Sequence, residues 1–505
     1  MSRPDAGSVP GGMRPTVELS SGRLSGSAEG PLCVFRGIPY ARPPVGALRF
    51  GAPRPAEPWT GVREATLFGP AAAQSAIDVE YVPGFSLWEG IGTTSEDCLT
   101  VNVWTPGLSG RRPVLVWIHG GAFLKGAGSQ VLYDGATLAR RGDVVVVTAN
   151  YRLGVFGFLA LDDDRCVANA GVLDQVLVLE WVADHAAAFG GDPGNVTVMG
   201  ESAGAISVAA LMTSPRARGR FHRAVAQSGA GRRLPTADGA GELTNRLLAR
   251  LGLGPSPVDE LLALPTERLL SAQVAVSVDV RRDDIGAGFQ PWTCGDVLPT
   301  QAVDGLAAGS AAGVPFLAGT NEHEMNLWRV LEPGLRELDE DGLAVRVQRL
   351  VGEAAGDLMA VYRAARPSAG PSELWSAIWS DREFRIPSLR ATEAQSARAA
   401  DTFSYLFTWP SPAPGIGSCH ALELPFVFGT LESAGADAFA GCGPSAEALA
   451  TSVQDAWLSF ARTGNPGWPA YDPSTRSTMI LGETCGVADD PMSAERAAWY
   501  GLPTA

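Results

Sequence analysis

The pentapeptide Gly200-Glu201-Ser202-Ala203-Gly204 constrains this chain more than any other feature, because of what flanks it. Asn195-Val196-Thr197-Val198-Met199 before it suits a buried strand, and Ala205-Ile206-Ser207-Val208-Ala209-Ala210-Leu211-Met212 after it suits a buried helix. A strand that turns into a helix within one residue forces that residue into a strained backbone conformation. Side chains two positions to either side would collide, so glycine is needed at 200 and 204. The turn pushes the Ser202 hydroxyl into a cleft and leaves the Ala203 amide pointing at the same place.

A second segment has matching geometry. Val114-Leu115-Val116-Trp117-Ile118 is an apolar strand that runs into His119-Gly120-Gly121-Ala122-Phe123. Glycines directly after a strand let backbone amides converge on one oxygen. The two segments read as a nucleophile elbow and an oxyanion-hole loop. They assign the amides of Gly120, Gly121 and Ala203 as donors to a tetrahedral oxyanion. One such donor is worth on the order of 3 kcal/mol of barrier. The expected fold is therefore α/β, an α/β-hydrolase fold with a large, mostly parallel sheet flanked by helices.

The candidate residues near 120, near 202 and beyond 320 must meet in one site. That predicts a single domain over residues 15–505, with helical insertions around 233–300 and 325–400. Residues 1–14 are rich in Gly, Pro and Ser, lack an apolar run, and read as a disordered tail and not a secretory signal. No stretch approaches 18 uninterrupted apolar residues, which argues against a membrane span. The seven cysteines lack paired spacing and fit free thiols in a reducing cytoplasm. A net charge of −15 without a basic stripe argues against nucleic-acid binding. The basic residues are arginine apart from one lysine, Lys125.

Along the chain, short strands rich in Gly and Pro are expected up to about Arg112. Val144-Val145-Val146-Val147-Thr148 predicts a strand buried on both faces. Val172 to Ala188 has helical spacing, and Phe221 to Gln227 reads as a further helix and strand. Leu243 to about Val274 and Leu335 to about Ala365 predict helices over the site. Val314 to Gly319 and Thr402 to Phe407 look like later strands, and Ala446 to Ala461 a closing helix.

A serine nucleophile needs a base, and histidine suits neutral pH. Five histidines make the search exhaustive. His119 belongs to the oxyanion loop, and His185 and His222 fall in stretches expected to be helical. His323 and His420 remain on loops after strands. The chain order nucleophile, acid, histidine favours His420. The acid lies in Gly319-Thr320-Asn321-Glu322-His323-Glu324, where spacing alone leaves Glu322 and Glu324 both open.

The chain resembles the type-B carboxylesterases, the group that includes bacterial p-nitrobenzyl esterases and the cholinesterases. The likeness is carried by Phe35-Arg36-Gly37-Ile38-Pro39-Tyr40-Ala41, Ser95-Glu96-Asp97-Cys98-Leu99, Asn150-Tyr151-Arg152, Phe189-Gly190-Gly191-Asp192-Pro193 and Gln227-Ser228-Gly229-Ala230. Glu423-Leu424-Pro425-Phe426-Val427-Phe428 after His420 is most similar to bacterial members. The resemblance implies Glu324 as the acid, although His323-Glu324-Met325 stands where the family usually has Asp-Glu-Gly. It also implies that Glu201 and Ser228 support the triad, and that Arg49 pairs with Glu96 and Arg152 with Asp174. Gly69-Pro70-Ala71-Ala72-Ala73 lacks the family's cysteine partner for Cys98.

The expected activity is hydrolysis of small or medium neutral carboxylic esters through an acyl-serine, with Ser202, Glu324 and His420 as the triad. Neither metal nor cofactor is implied, and the expected partner is a small-molecule ester, with no nucleic acid and no membrane. Monomer and dimer both remain open. An acyltransferase or cyclase using the same triad is the alternative, and a non-catalytic neuroligin-like binding protein a remoter one. Trp88, Phe123, Phe289, Trp292 and Trp328 are candidates to line the substrate pocket.

Overall fold

The computed structural model describes residues 14–76, 82, 84–255, 257–282, 288–399 and 401–505. Its centre is an 11-stranded sheet. The strands in chain order are β1 (Ser27–Glu29), β2 (Leu32–Pro39), β3 (Thr100–Thr105), β4 (Arg112–Ile118), β5 (Val145–Ala149) and β6 (Gly191–Glu201). They continue with β7 (Arg223–Gln227), β8 (Phe316–Asn321), β9 (Thr402–Phe407), β10 (Ser477–Leu481) and β11 (Gly486–Asp489). The spatial order is β11-β10-β9-β8-β7-β6-β4-β5-β3-β2-β1. The block from β10 to β5 is parallel throughout, and the strands at both edges are antiparallel.

Strand residues alternate between two cores, as the period of two demands. On β4, Val114, Val116 and Ile118 enter one core while Leu115 and Trp117 enter the other. Helix α1 (Ala170–His185) and helix α2 (Ala203–Thr213) cover the first face, and helix α7 (Pro444–Thr463) covers the second. Both faces of the central strands are buried, which explains why they read as unbroken apolar runs.

Register brings the functional segments to one edge. Gly200 of β6 pairs with Ile118 of β4, Glu201 with Gln227, Gln227 with Gly319, and Asn321 with Phe407. The loops after β4, β6, β7, β8 and β9 therefore all leave the sheet on the same side. Between β7 and β8 the chain forms helices α3 (Ala237–Leu251) and α4 (Thr266–Arg282). Between β8 and β9 it forms several more, including α5 (Asn326–Leu331) and α6 (Ile386–Ser396).

Both expected ion pairs are present. Arg152 meets Asp174 through Nε and Nη2 at 2.8 and 2.7 Å, and Arg49 meets Glu96 at 2.7 and 2.8 Å. Cys98 is a free thiol, as are the other six cysteines.

Two expectations need correction. His222 is not helical: it precedes β7, where Ala224 and Ala226 face one core and Val225 the other. The helix at 446–461 does not close the chain, because β10, β11 and a helix over Ser493–Ala498 follow it. The expected tail at 1–14 lies outside the described residues except for Arg14, which is ion-paired with Glu64.

Candidate active site

Ser202 sits at the junction of β6 and α2 with φ 56° and ψ −120°, the strained geometry demanded by the turn. Its amide donates to Gln227 O (2.8 Å), which fixes the turn to the neighbouring strand. A Cβ on Gly200 would lie 2.6 Å from the Gly204 carbonyl, and one on Gly204 would run into Ile118 O. Both glycines are required by close approach.

The loop after β4 is equally strained. Gly121, Ala122 and Phe123 take φ of 108°, 56° and 60° in succession, two of them without the freedom of glycine. Gly120 passes so close to the elbow that a Cβ there would be 3.2 Å from Ser202 Cβ. Among the described residues, no group accepts a hydrogen bond from the Gly121 or Ala203 amides, whereas the Gly120 amide donates to the Tyr133 phenol oxygen. His119 anchors this loop: its carbonyl accepts from Tyr151 Oη (2.9 Å), and its ring stacks on Tyr151 at 4.5 Å. Burial pushes its pKa down to about 4, so it is neutral at pH 7.

Glu324 is fully buried. Its Oε2 accepts from His420 Nδ1 at 2.6 Å, and its Oε1 accepts from Ser228 Oγ (2.6 Å) and the Asn321 amide (2.8 Å). Of the two glutamates, Glu324 is the one in contact with His420, while Glu322 lies partly exposed, 3.8 Å from His323. His420 Nε2 approaches Glu201 Oε1 at 3.0 Å. The contact is close but poorly aligned: Oε1 accepts no well-formed hydrogen bond, so the attraction is one of charge. Among the described residues none is hydrogen-bonded to Ser202 Oγ. Burial disfavours a charged imidazole, but the Glu201 and Glu324 carboxylates outweigh it and hold His420 well above its ordinary range.

Two residues here escaped sequence reasoning. Glu423 is buried, with Oε1 accepting from Gln227 Nε2 (2.9 Å) and Oε2 from Asn321 Nδ2 (2.7 Å). Burial, and the carboxylates of Glu201 and Glu324, raise its pKa to about 7, against the opposing amide hydrogen bonds. Phe384 lies 4.7 Å from the His420 ring, carried there by a π-helical turn at Asp381–Arg385. Such turns are rare and recur at functional sites.

Of the pocket candidates, Trp328 lies 5.1 Å from His420. Trp88 stands beside the oxyanion loop, its Cζ3 3.3 Å from where a Cβ on Gly121 would be, with Lys125 Nζ 5.6 Å from its ring centroid. The other three make different contacts. Phe123 packs edge-on against Phe158, Phe289 is inside the main core, and Trp292 is tied by its backbone to Asn169.

The sequence pattern of the carboxylesterase family matches residues 13–499. The chain belongs to the carboxylesterase family. This carboxylesterase is 38% identical to the para-nitrobenzyl esterase of Bacillus subtilis over 494 residues, 95% of this chain and 97% of that one. It is 35% identical to the phenmedipham hydrolase of Pseudarthrobacter oxydans over 484 residues, 93% and 95% of the two chains. A solved carboxylesterase of Geobacillus stearothermophilus superposes with a TM-score of 0.86 at 41% identity, covering 96% of this chain and 99% of that one. The protein is a carboxylic ester hydrolase, and no helix among its described residues is long and apolar enough to cross a membrane.

Proposed function

We propose that the enzyme hydrolyses small or medium neutral carboxylic esters through an acyl intermediate on Ser202, within one catalytic domain spanning residues 15–505. The observation that carries this reading is the 2.6 Å bond from His420 Nδ1 to buried Glu324, at the sheet edge where the elbow presents Ser202. That bond fixes the imidazole so that Nε2 serves the reaction. His420 Nε2 takes the Ser202 proton as Oγ attacks the ester carbonyl. The Gly120, Gly121 and Ala203 amides receive the negative oxygen. His420 then gives its proton to the departing alcohol oxygen as the C–O bond breaks. Water enters, loses a proton to His420, and attacks the acyl carbon; the acid leaves and Ser202 recovers its proton.

Trp88 and Trp328, one beside the oxyanion loop and one beside the base, support an aromatic pocket around the ester. The unpaired cysteines support a reducing, cytoplasmic setting.

p-Nitrophenyl esters of increasing acyl length, with p-nitrobenzyl esters as the class named for the Bacillus relative, provide the test. Turnover that peaks at short or medium acyl chains and is lost in Ser202→Ala supports the reading. No turnover on any of these esters, or turnover that survives Ser202→Ala, overturns it.

A further inference from the structure

The loop that carries Glu324 and the loop that carries His420 are joined by a ladder well beyond the contact between those two side chains. Asn321 Nδ2 donates to Cys419 O (2.6 Å), and the His420 amide to Glu324 O (3.2 Å). The His323 amide donates to Ser418 O (2.9 Å), Asn326 Nδ2 to Ile416 O (3.1 Å), and Arg329 Nη2 to Gly415 O (2.7 Å). His323, Asn326 and Arg329 recur at a spacing of three, so one face of a single turn-and-helix element grips residues 415–418.

One side-chain bond in this ladder runs the other way. The Ser418 amide donates to His323 Nδ1 at 3.3 Å. Gly417 adopts φ 58°, and a Cβ there would stand 3.1 Å from the same nitrogen, so the imidazole packs on bare backbone. An amide can donate to Nδ1 only while that nitrogen keeps its lone pair.

We propose that His323 is a positioning residue for His420, its neutral ring accepting the Ser418 amide and thereby fixing the segment before His420 against the loop of Glu324. This rests on the reading of His420 as the catalytic base. Nδ1 is two residues from the histidine by way of Ser418 and one residue from Glu324 in sequence, so loosening this joint shifts both partners of the pair relative to each other. Misplacement by about 1 Å in such a pair costs on the order of a hundredfold in rate, and a partial loosening about tenfold.

The joint also responds to acid. Protonation turns Nδ1 into a donor facing another donor. Burial holds the pKa of His323 below its ordinary value; Arg366 and Arg329 act in the same direction, while Glu322, 3.8 Å away, opposes them. Glu495 pairs with Arg366 at 2.8 Å and tempers it, and residues 415–418 bring no charge of their own. Because the folded-state value is depressed, the joint is whole above the unfolded value of about 6.5 and is lost as pH falls through the folded one.

The test compares wild type, His323→Leu and His323→Asn in kcat, KM and the downfield proton resonance of the His420–Glu324 hydrogen bond. Asparagine Oδ1 stands where Nδ1 does but accepts without titrating. At pH 8, His323→Leu is expected to lose about tenfold in kcat with KM within about twofold, and His323→Asn to restore most of it. On the acid side, log(kcat/KM) for wild type should drop about tenfold below a line of slope one as His323 takes up its proton, and His323→Asn should keep a slope of one. The resonance should broaden in wild type on acidification at a pH where it persists in His323→Asn. Wild-type and His323→Leu values that coincide in kcat and in the resonance overturn the proposal. A wild-type acid slope of one throughout overturns it too, and needs no variant to fold. If wild type hydrolysed no ester the function itself would fail, yet the resonance comparison would still judge the joint.

Discussion

His420 Nε2 lies 3.0 Å from Glu201 Oε1, on the side of the imidazole opposite the Glu324 bond at Nδ1. The imidazole thus rests between two buried carboxylates, with Glu423 close to both. Ester cleavage needs the neutral imidazole, and both carboxylates favour the charged one. Replacing Glu201 by Gln removes one source of that bias, so the apparent pKa of His420 falls. The acid limb of kcat/KM should move to lower pH in Glu201→Gln, as a pH–rate profile will show. An unmoved limb would mean that Glu201 does not act on the base.

Glu324→Gln keeps the shape of the acid but cannot hold Nδ1–H of His420 as a carboxylate does. By analogy with serine hydrolases that lose this acid, kcat should drop by about 10⁴-fold with the fold intact. Steady-state kinetics beside a circular dichroism spectrum separates this outcome from unfolding.

Phe384 and Trp328 flank the imidazole at 4.7 and 5.1 Å. Removing the Phe384 ring opens space next to the His420 imidazole. Phe384→Ala should shift the acyl-length optimum of p-nitrophenyl esters towards longer chains, checked by comparing kcat/KM across the series.

Glu423 has a pKa raised to about 7 by burial and by its carboxylate neighbours. The folded protein holds this proton where the unfolded chain has lost it, so stability falls as pH rises from about 4.5 to about 7. The contribution amounts to roughly 3 kcal/mol. Glu423→Gln, which cannot ionise, should lack this slope. Urea denaturation at pH 4.5 and pH 8 should show the variant gaining on wild type at the higher pH.

Much of this architecture is legible in the chain because the central strands are buried on both faces. Val114–Ile118, Val145–Val147 and Thr402–Phe407 read as apolar runs whatever surrounds them. The outermost strand β11 is short and largely exposed, and β10 beside it is only partly buried, so neither reads as such a run. His222 was misplaced because Ala224 and Ala226 suit helix and strand alike, and only pairing with β6 and β8 decides. The elbow and the oxyanion loop are local, so glycine spacing exposed them. Glu423 and Phe384 reach the site through tertiary packing, and neither a glutamate before a helix nor a phenylalanine in a π-helical turn announces that.

Covalent labelling with an organophosphate that phosphorylates activated serines, followed by peptide mass analysis, tests the central claim most directly. Stoichiometric label on the peptide carrying Ser202, with parallel loss of esterase activity and no label in His420→Ala, is the predicted result. Label on a different residue, or full activity with Ser202 modified, would contradict the account.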